Sequence, residues 1–165
     1  MKIALVGFMG TGKTSVGKLL AKKMKFNFLD TDNQIEKREG LSIPEIFANK
    51  GEDYFRSLEE KVLADIINTE QNFVLATGGG IVISPKNRKL LLNSTKSFLL
   101  EAGPEEIYRR TKADSERPLL ETDNPLQKIK ELLAERREYY QCFPNKIDTE
   151  EKLPVEIVED IYLKI

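Results

Sequence analysis

Histidine is absent from the chain and cysteine occurs once, as Cys142. Without imidazole the commonest general base and zinc ligand are missing, so proton transfer falls to carboxylates, lysine or water. A single cysteine excludes an internal disulfide and a thiolate metal cluster, and fits a reducing compartment. No apolar run approaches the length that crosses a bilayer. The first one, Ile3-Ala4-Leu5-Val6, is too short for an export signal, so a cytoplasmic protein is expected. An excess of either charge is lacking too: 26 Lys+Arg against 27 Asp+Glu give a net charge of −1. Such a chain has no general pull on nucleic acid, and the expected partners are small molecules, with neither nucleic acid nor membrane involved.

What is present suits one globular domain over residues 1–165, expected to act as a monomer. The length is 165 residues, 40% hydrophobic and 32% charged, enough to bury a sizeable core. Short apolar runs alternate with helical patterns. Strands are predicted at 2–6, 26–30, 73–77, 96–100 and 145–149. Helices are predicted over 13–24, 32–39, 52–68, from Ser84-Pro85 to Leu92, 104–111, 125–142 and from Pro154. Ser42 and Glu45 have capping-box spacing for one more helix, which Gly51 is placed to close. Alternating strands and helices predict an α/β fold, a parallel sheet between helical layers. Residues 112–124 carry no period and read as a lid.

The sharpest motif is Gly7-Phe8-Met9-Gly10-Thr11-Gly12-Lys13-Thr14, which fits G-x-x-x-x-G-K-[ST] between a strand and a helix. Its glycines let successive N–H groups turn toward one centre, and the helix that follows aims its positive end there. Gly10, Thr11, Gly12, Lys13, Thr14 and Ser15 therefore form a candidate cradle for a nucleoside triphosphate. Lys13 supplies charge to the β- and γ-phosphates, and the Thr14 hydroxyl is a ligand for Mg²⁺. The "NKID" run at 145–148 matches a guanine-selecting element only loosely, and no switch loops are evident, so ATP is favoured over GTP.

Three clusters fall where a parallel sheet places functional groups, at strand carboxyl ends. Asp30 and Asp32 are spaced to serve a metal-bound water and an acceptor hydroxyl; alternatively, Asp32 caps the helix at 32–39. Gly78, Gly79 and Gly80 form either a turn or a bare-backbone wall for a substrate. Arg56 and Arg136 suit a carboxylate, with Glu59 and Glu60 one turn after Arg56 and placed to orient it, though surface arginines are common. Arg117, in the lid, has the character of a residue that closes over transferred phosphate.

Together these elements resemble the shikimate kinase family over nearly the whole chain. The matching pieces are GFMGTGKT at 7–14, LDTD at 29–32, the FR pair at 55–56, TGGG at 77–80, RPLL at 117–120 and Arg136-x-x-x-Tyr140. The resemblance implies a three-layer αβα fold of the P-loop nucleoside-monophosphate-kinase type, with five parallel strands in the order 2-3-1-4-5. It implies transfer of the γ-phosphoryl of ATP, with Mg²⁺, to the 3-hydroxyl of shikimate, a step toward chorismate and the aromatic amino acids. Carried over by position, Lys13, Asp32 and Arg117 are catalytic, and Asp30 reaches Mg²⁺ through water. Asp32, Arg56, Gly78, Gly79, Gly80 and Arg136 hold shikimate, on helices about 31–60. Arg110 covers adenine, and Phe47 and Phe55 resemble aromatic pocket walls. A gluconate kinase, a nucleoside-monophosphate kinase or a non-catalytic nucleotide-binding protein is the alternative.

Overall fold

The computed structural model describes residues 1–69, 71–112 and 122–165. Five strands, β1 (Lys2–Gly7), β2 (Asn27–Asp30), β3 (Phe73–Ala76), β4 (Lys96–Glu101) and β5 (Asn145–Asp148), form one sheet in the order β2-β3-β1-β4-β5. Every pairing is parallel. The helices are α1 (Lys13–Met24), α2 (Thr31–Glu39), α3 (Ile43–Ile67), α4 (Pro85–Ser94), α5 (Pro104–Thr111), α6 (Pro125–Gln141) and α7 (Pro154–Tyr162).

Central strands must be apolar on both sides, because each face carries a helical layer. In β1, Ala4 and Val6 enter one core with residues of α2 to α6, whereas Ile3 and Leu5 enter a second core with α1 and α7. Phe73 and Leu75 against Val74, and Leu99 against Phe98 and Leu100, repeat that alternation. The expected order and layering are therefore observed. The "NKID" run is strand β5, and the Asn145 side chain donates to Ser97 O of β4 at 3.0 Å, so it is sheet and not a guanine reader.

One local expectation changes. Asp30, not Asp32, caps α2: its carboxylate accepts from the N–H groups of Asp32 and Asn33. The chain turns helical at Thr31, so the cap falls two residues earlier, on Asp30. Gly51 closes the first helical run of α3 as expected. With φ 80° and ψ 171° it kinks α3, which resumes and continues to Ile67. The N-terminal half starts at the expected capping box of Ser42 and Glu45.

Candidate active site

The carboxyl ends of β1, β2 and β3 open on a cavity of about 350 Å³. Met9, Gly10, Gly12, Lys13, Thr14 and Ser15 form one wall; Asp30 and Asp32 form the second, with Thr77, Gly79 and Arg110 completing it. Gly10 (φ 75°) and Gly12 (φ 91°) hold the left-handed conformations that bend the loop. Thr11 turns inward instead, its hydroxyl donating to Phe8 O at 2.8 Å. The Lys13 ammonium donates to the carbonyls of Gly7 and Phe8, 2.8 Å from each. Across the cavity the Thr14 hydroxyl donates to Asp30 Oδ2 at 3.1 Å, bringing two hard oxygen ligands together.

Because Asp30 serves as the cap, Asp32 is not spent on the helix terminus. Its Oδ1 is buried and has no hydrogen-bond partner among the described residues. Burial, helped by the neighbouring Asp30 charge and opposed by Lys13, pushes its carboxyl up to about 6. Glu59 Oε1 is likewise buried without a hydrogen-bond partner among the described residues. Burial raises Glu59 to about 7 against the pull of Arg56. Both oxygens crowd Gly78: a Cβ there would lie 2.6 Å from Asp32 Oδ1 and 2.9 Å from Glu59 Oε1. Thr31 locks the same turn, its hydroxyl accepting from Gly78 N–H at 2.7 Å.

The two arginines converge on the next two residues. Arg136, 5% exposed, donates from Nη1 to Gly79 O at 3.2 Å, and the Tyr140 hydroxyl donates to that same carbonyl at 2.9 Å. Arg56 is held on both flanks. Its Nε and Nη2 donate to Glu52 Oε1, and its Nη1 donates to Glu59 Oε2 at 3.0 Å. A Cβ on Gly80 would stand 2.5 Å from Nη1 and 2.6 Å from Nη2, so the end of the guanidinium lies over bare backbone. Of the two acids expected to orient Arg56, Glu59 does so and Glu60 does not. Glu60 points away, accepting from Ser84 Oγ at 2.6 Å.

This layout combines a phosphate-type loop, a carboxylate pair and two guanidinium groups at the Gly79–Gly80 turn. The shikimate kinase family model matches residues 9–165. The chain belongs to the shikimate kinase family. The shikimate kinase of Thermodesulfovibrio yellowstonii is 46% identical over 159 residues, covering 96% of this chain and 91% of that protein. The structure of a shikimate kinase from Acinetobacter baumannii, in complex with shikimate, superposes with a TM-score of 0.95 at 37% identity. It covers 99% of this chain and 91% of that one. A gluconokinase from Sinorhizobium meliloti shares the fold at a TM-score of 0.55 and 19% identity, over 96% of this chain and 87% of its own.

Among the residues that the shikimate kinase resemblance singles out, Phe55 is core, 4% exposed, and Phe47 packs against it with ring centroids 4.8 Å apart and planes tilted by 40°. Arg110 turns its edges to the protein, as described below. Arg117 lies outside the described residues, as does most of the lid expected at 112–124. Glu52, one turn before Arg56, is a site residue that sequence reasoning passed over, although its i,i+4 spacing on a helix was available as a signal. The inward tilt of Glu59 had no such signal, since neither spacing nor composition separates it from Glu60.

Proposed function

We propose that the cavity takes ATP and the adjoining arginine pocket takes shikimate, and that the γ-phosphoryl group passes to the 3-hydroxyl of shikimate. The observation that carries this reading is the place of Asp32. Its unpartnered oxygen lies within electrostatic reach of Lys13 on one side and Arg56 on the other. A hydroxyl docked there donates to Asp32 while facing the phosphate loop. A carboxyl raised to about 6 is a competent late proton acceptor near neutral pH. Phosphoryl transfer through a loose transition state needs alignment and charge neutralisation more than a strong base, which suits a chain without histidine.

Arg56 and Arg136 grip the substrate carboxylate, with Gly78, Gly79 and Gly80 as the floor. Gly10, Thr11, Gly12, Lys13, Thr14, Ser15 and Arg110 hold the nucleotide, and Arg117 contacts the transferred phosphate. Thr14 and Asp30 fit Mg²⁺ as a hydroxyl ligand and a partner for a metal-bound water, the sparse oxygen set this ion accepts alongside phosphates. The bound ion screens the charge of the triphosphate. The protein works as a cytoplasmic monomer. Helices 31–60 carry the acid pocket, and the lid excludes water from it.

The test is direct. Protein incubated with ATP, Mg²⁺ and, in separate reactions, shikimate, gluconate and AMP is analysed by mass spectrometry. Phosphorylated shikimate alone is expected. Phosphorylated gluconate or AMP in its place, or hydrolysis of ATP without transfer, would overturn the reading.

A further inference from the structure

The α5 helix carries an anion that the phosphate loop does not touch, yet which is tied to it through one side chain. Glu106, 8% exposed, accepts from Arg110 Nε at 2.6 Å and from Arg109 Nε and Nη2 at 2.7 Å each. From that anchor Arg110, itself part of the cavity wall, reaches both the phosphate loop and the buried residue that follows β5. Its Nη1 donates to Gly10 O and to Thr149 Oγ1, both at 3.2 Å, and its Nη2 donates to Thr149 O at 2.6 Å. Gly10 is the bend of the phosphate loop, and Thr149 is the residue that follows β5.

These bonds fix peptide planes. Gly10 C=O and Thr11 N–H belong to one rigid plane. Arg110 holds the carbonyl end, and Thr11 N–H donates to Phe8 O at 3.4 Å on the other. Thr111, also on α5, backs the same bend: a Cβ on Gly10 would lie 2.7 Å from its methyl group. Thr149 is pinned from the opposite side, its N–H and hydroxyl each donating to Glu101 O at 2.9 Å. Arg110 thus spans the gap between loop and β5 edge, with its Nε, Nη1 and Nη2 all engaged. Four of its five N–H donors are used in these bonds, which leaves the flat face of the guanidinium and one Nη2 hydrogen for a nucleotide.

We infer that Glu106 is a positioning residue for the nucleotide: by anchoring Arg110 it sets the bend of the phosphate loop against the loop after β5. The inference rests on the proposed nucleotide site and extends it to a residue outside the cavity. Its anionic state is secure. Hydrogen bonds from Arg109, followed by those from Arg110, hold the carboxyl at about 2, so the brace persists across the neutral range.

Glu106→Gln keeps the shape and removes the charge that holds Arg110, while Arg110→Lys keeps the charge and removes the fork. Each variant is compared with the parent protein by calorimetric titration of ADP and by steady-state kinetics in ATP and in shikimate. About a fivefold weakening of ADP affinity and a matching rise in KM for ATP are expected from loss of one charge-assisted bond. KM for shikimate stays within twofold. The double variant is no weaker than either single one, because both break the same brace. Unchanged ADP affinity in both variants would overturn the inference. So would equal weakening toward both substrates, the signature of mere destabilisation. The ADP titration needs no acceptor, so it decides this point even if shikimate is not phosphorylated.

Discussion

The guanidinium of Arg56 lies over Gly80 so closely that a Cβ there would sit 2.5 Å from Nη1 and 2.6 Å from Nη2. Gly80 has φ −99°, which any residue adopts, so the glycine is required by the arginine and not by its own backbone. Gly80→Ala should therefore push Arg56 aside without straining the turn. KM for shikimate is expected to rise roughly tenfold, the equivalent of about 1.4 kcal/mol, with KM for ATP little changed. Steady-state kinetics in each substrate reads this, and an unchanged shikimate KM would count against the placement.

Arg56 and Arg136 reach the Gly79–Gly80 turn from two helices, and the proposed function gives both the substrate carboxylate. Arg56→Ala and Arg136→Ala are each expected to weaken shikimate binding by about 100-fold, because each removes a charged, partly desolvated partner. ATP binding should stay within a few-fold. Calorimetry with the unaltered acid affinity in both variants would remove the carboxylate clamp.

Thr14 and Asp30 touch across the cavity at 3.1 Å. Chelation of Mg²⁺ should abolish turnover. Thr14→Ala should raise the Mg²⁺ concentration for half-maximal activity by roughly tenfold, while Thr14→Ser restores it. A metal dependence identical in Thr14→Ala and the parent would exclude the hydroxyl as a ligand.

Glu59 links stability to pH. Its carboxyl stands at about 7 in the folded protein against 4.5 ordinarily, chiefly through burial. The folded state therefore holds this proton more tightly than the unfolded one. Stability from this group is present below about pH 4.5 and is lost as pH rises toward 7. Glu106, held at about 2, acts in the opposite sense and below that window. In thermal melts, Glu59→Gln should gain on the parent protein between pH 5 and pH 8. A constant difference in Tm across that range would mean the burial cost is not felt.

Local chemistry made much of this legible. The phosphate loop needs glycine, lysine and threonine at fixed offsets, and β1, β3 and β4 announce themselves as apolar runs because both faces are covered. Strand order was readable only through the family resemblance, since pairing between distant segments leaves no local trace. That Asp30 and not Asp32 caps α2 escaped because a small shift in where the helix starts decides which acid caps. Glu106 escaped for another reason: an acidic residue one turn before Arg110 looks like an ordinary surface pair until the fold brings Gly10 and Thr149 to the same guanidinium.

The most direct measurement is rapid-quench turnover of Asp32→Asn with saturating ATP, Mg²⁺ and shikimate. The amide keeps the size and the hydrogen-bonding reach of the carboxylate but cannot accept the hydroxyl proton. Phosphoryl transfer is expected to fall by on the order of 10³-fold, with both substrates still bound within about tenfold of the parent affinity. Transfer at the parent rate would contradict the account, since the reacting hydroxyl would then not lie against Asp32.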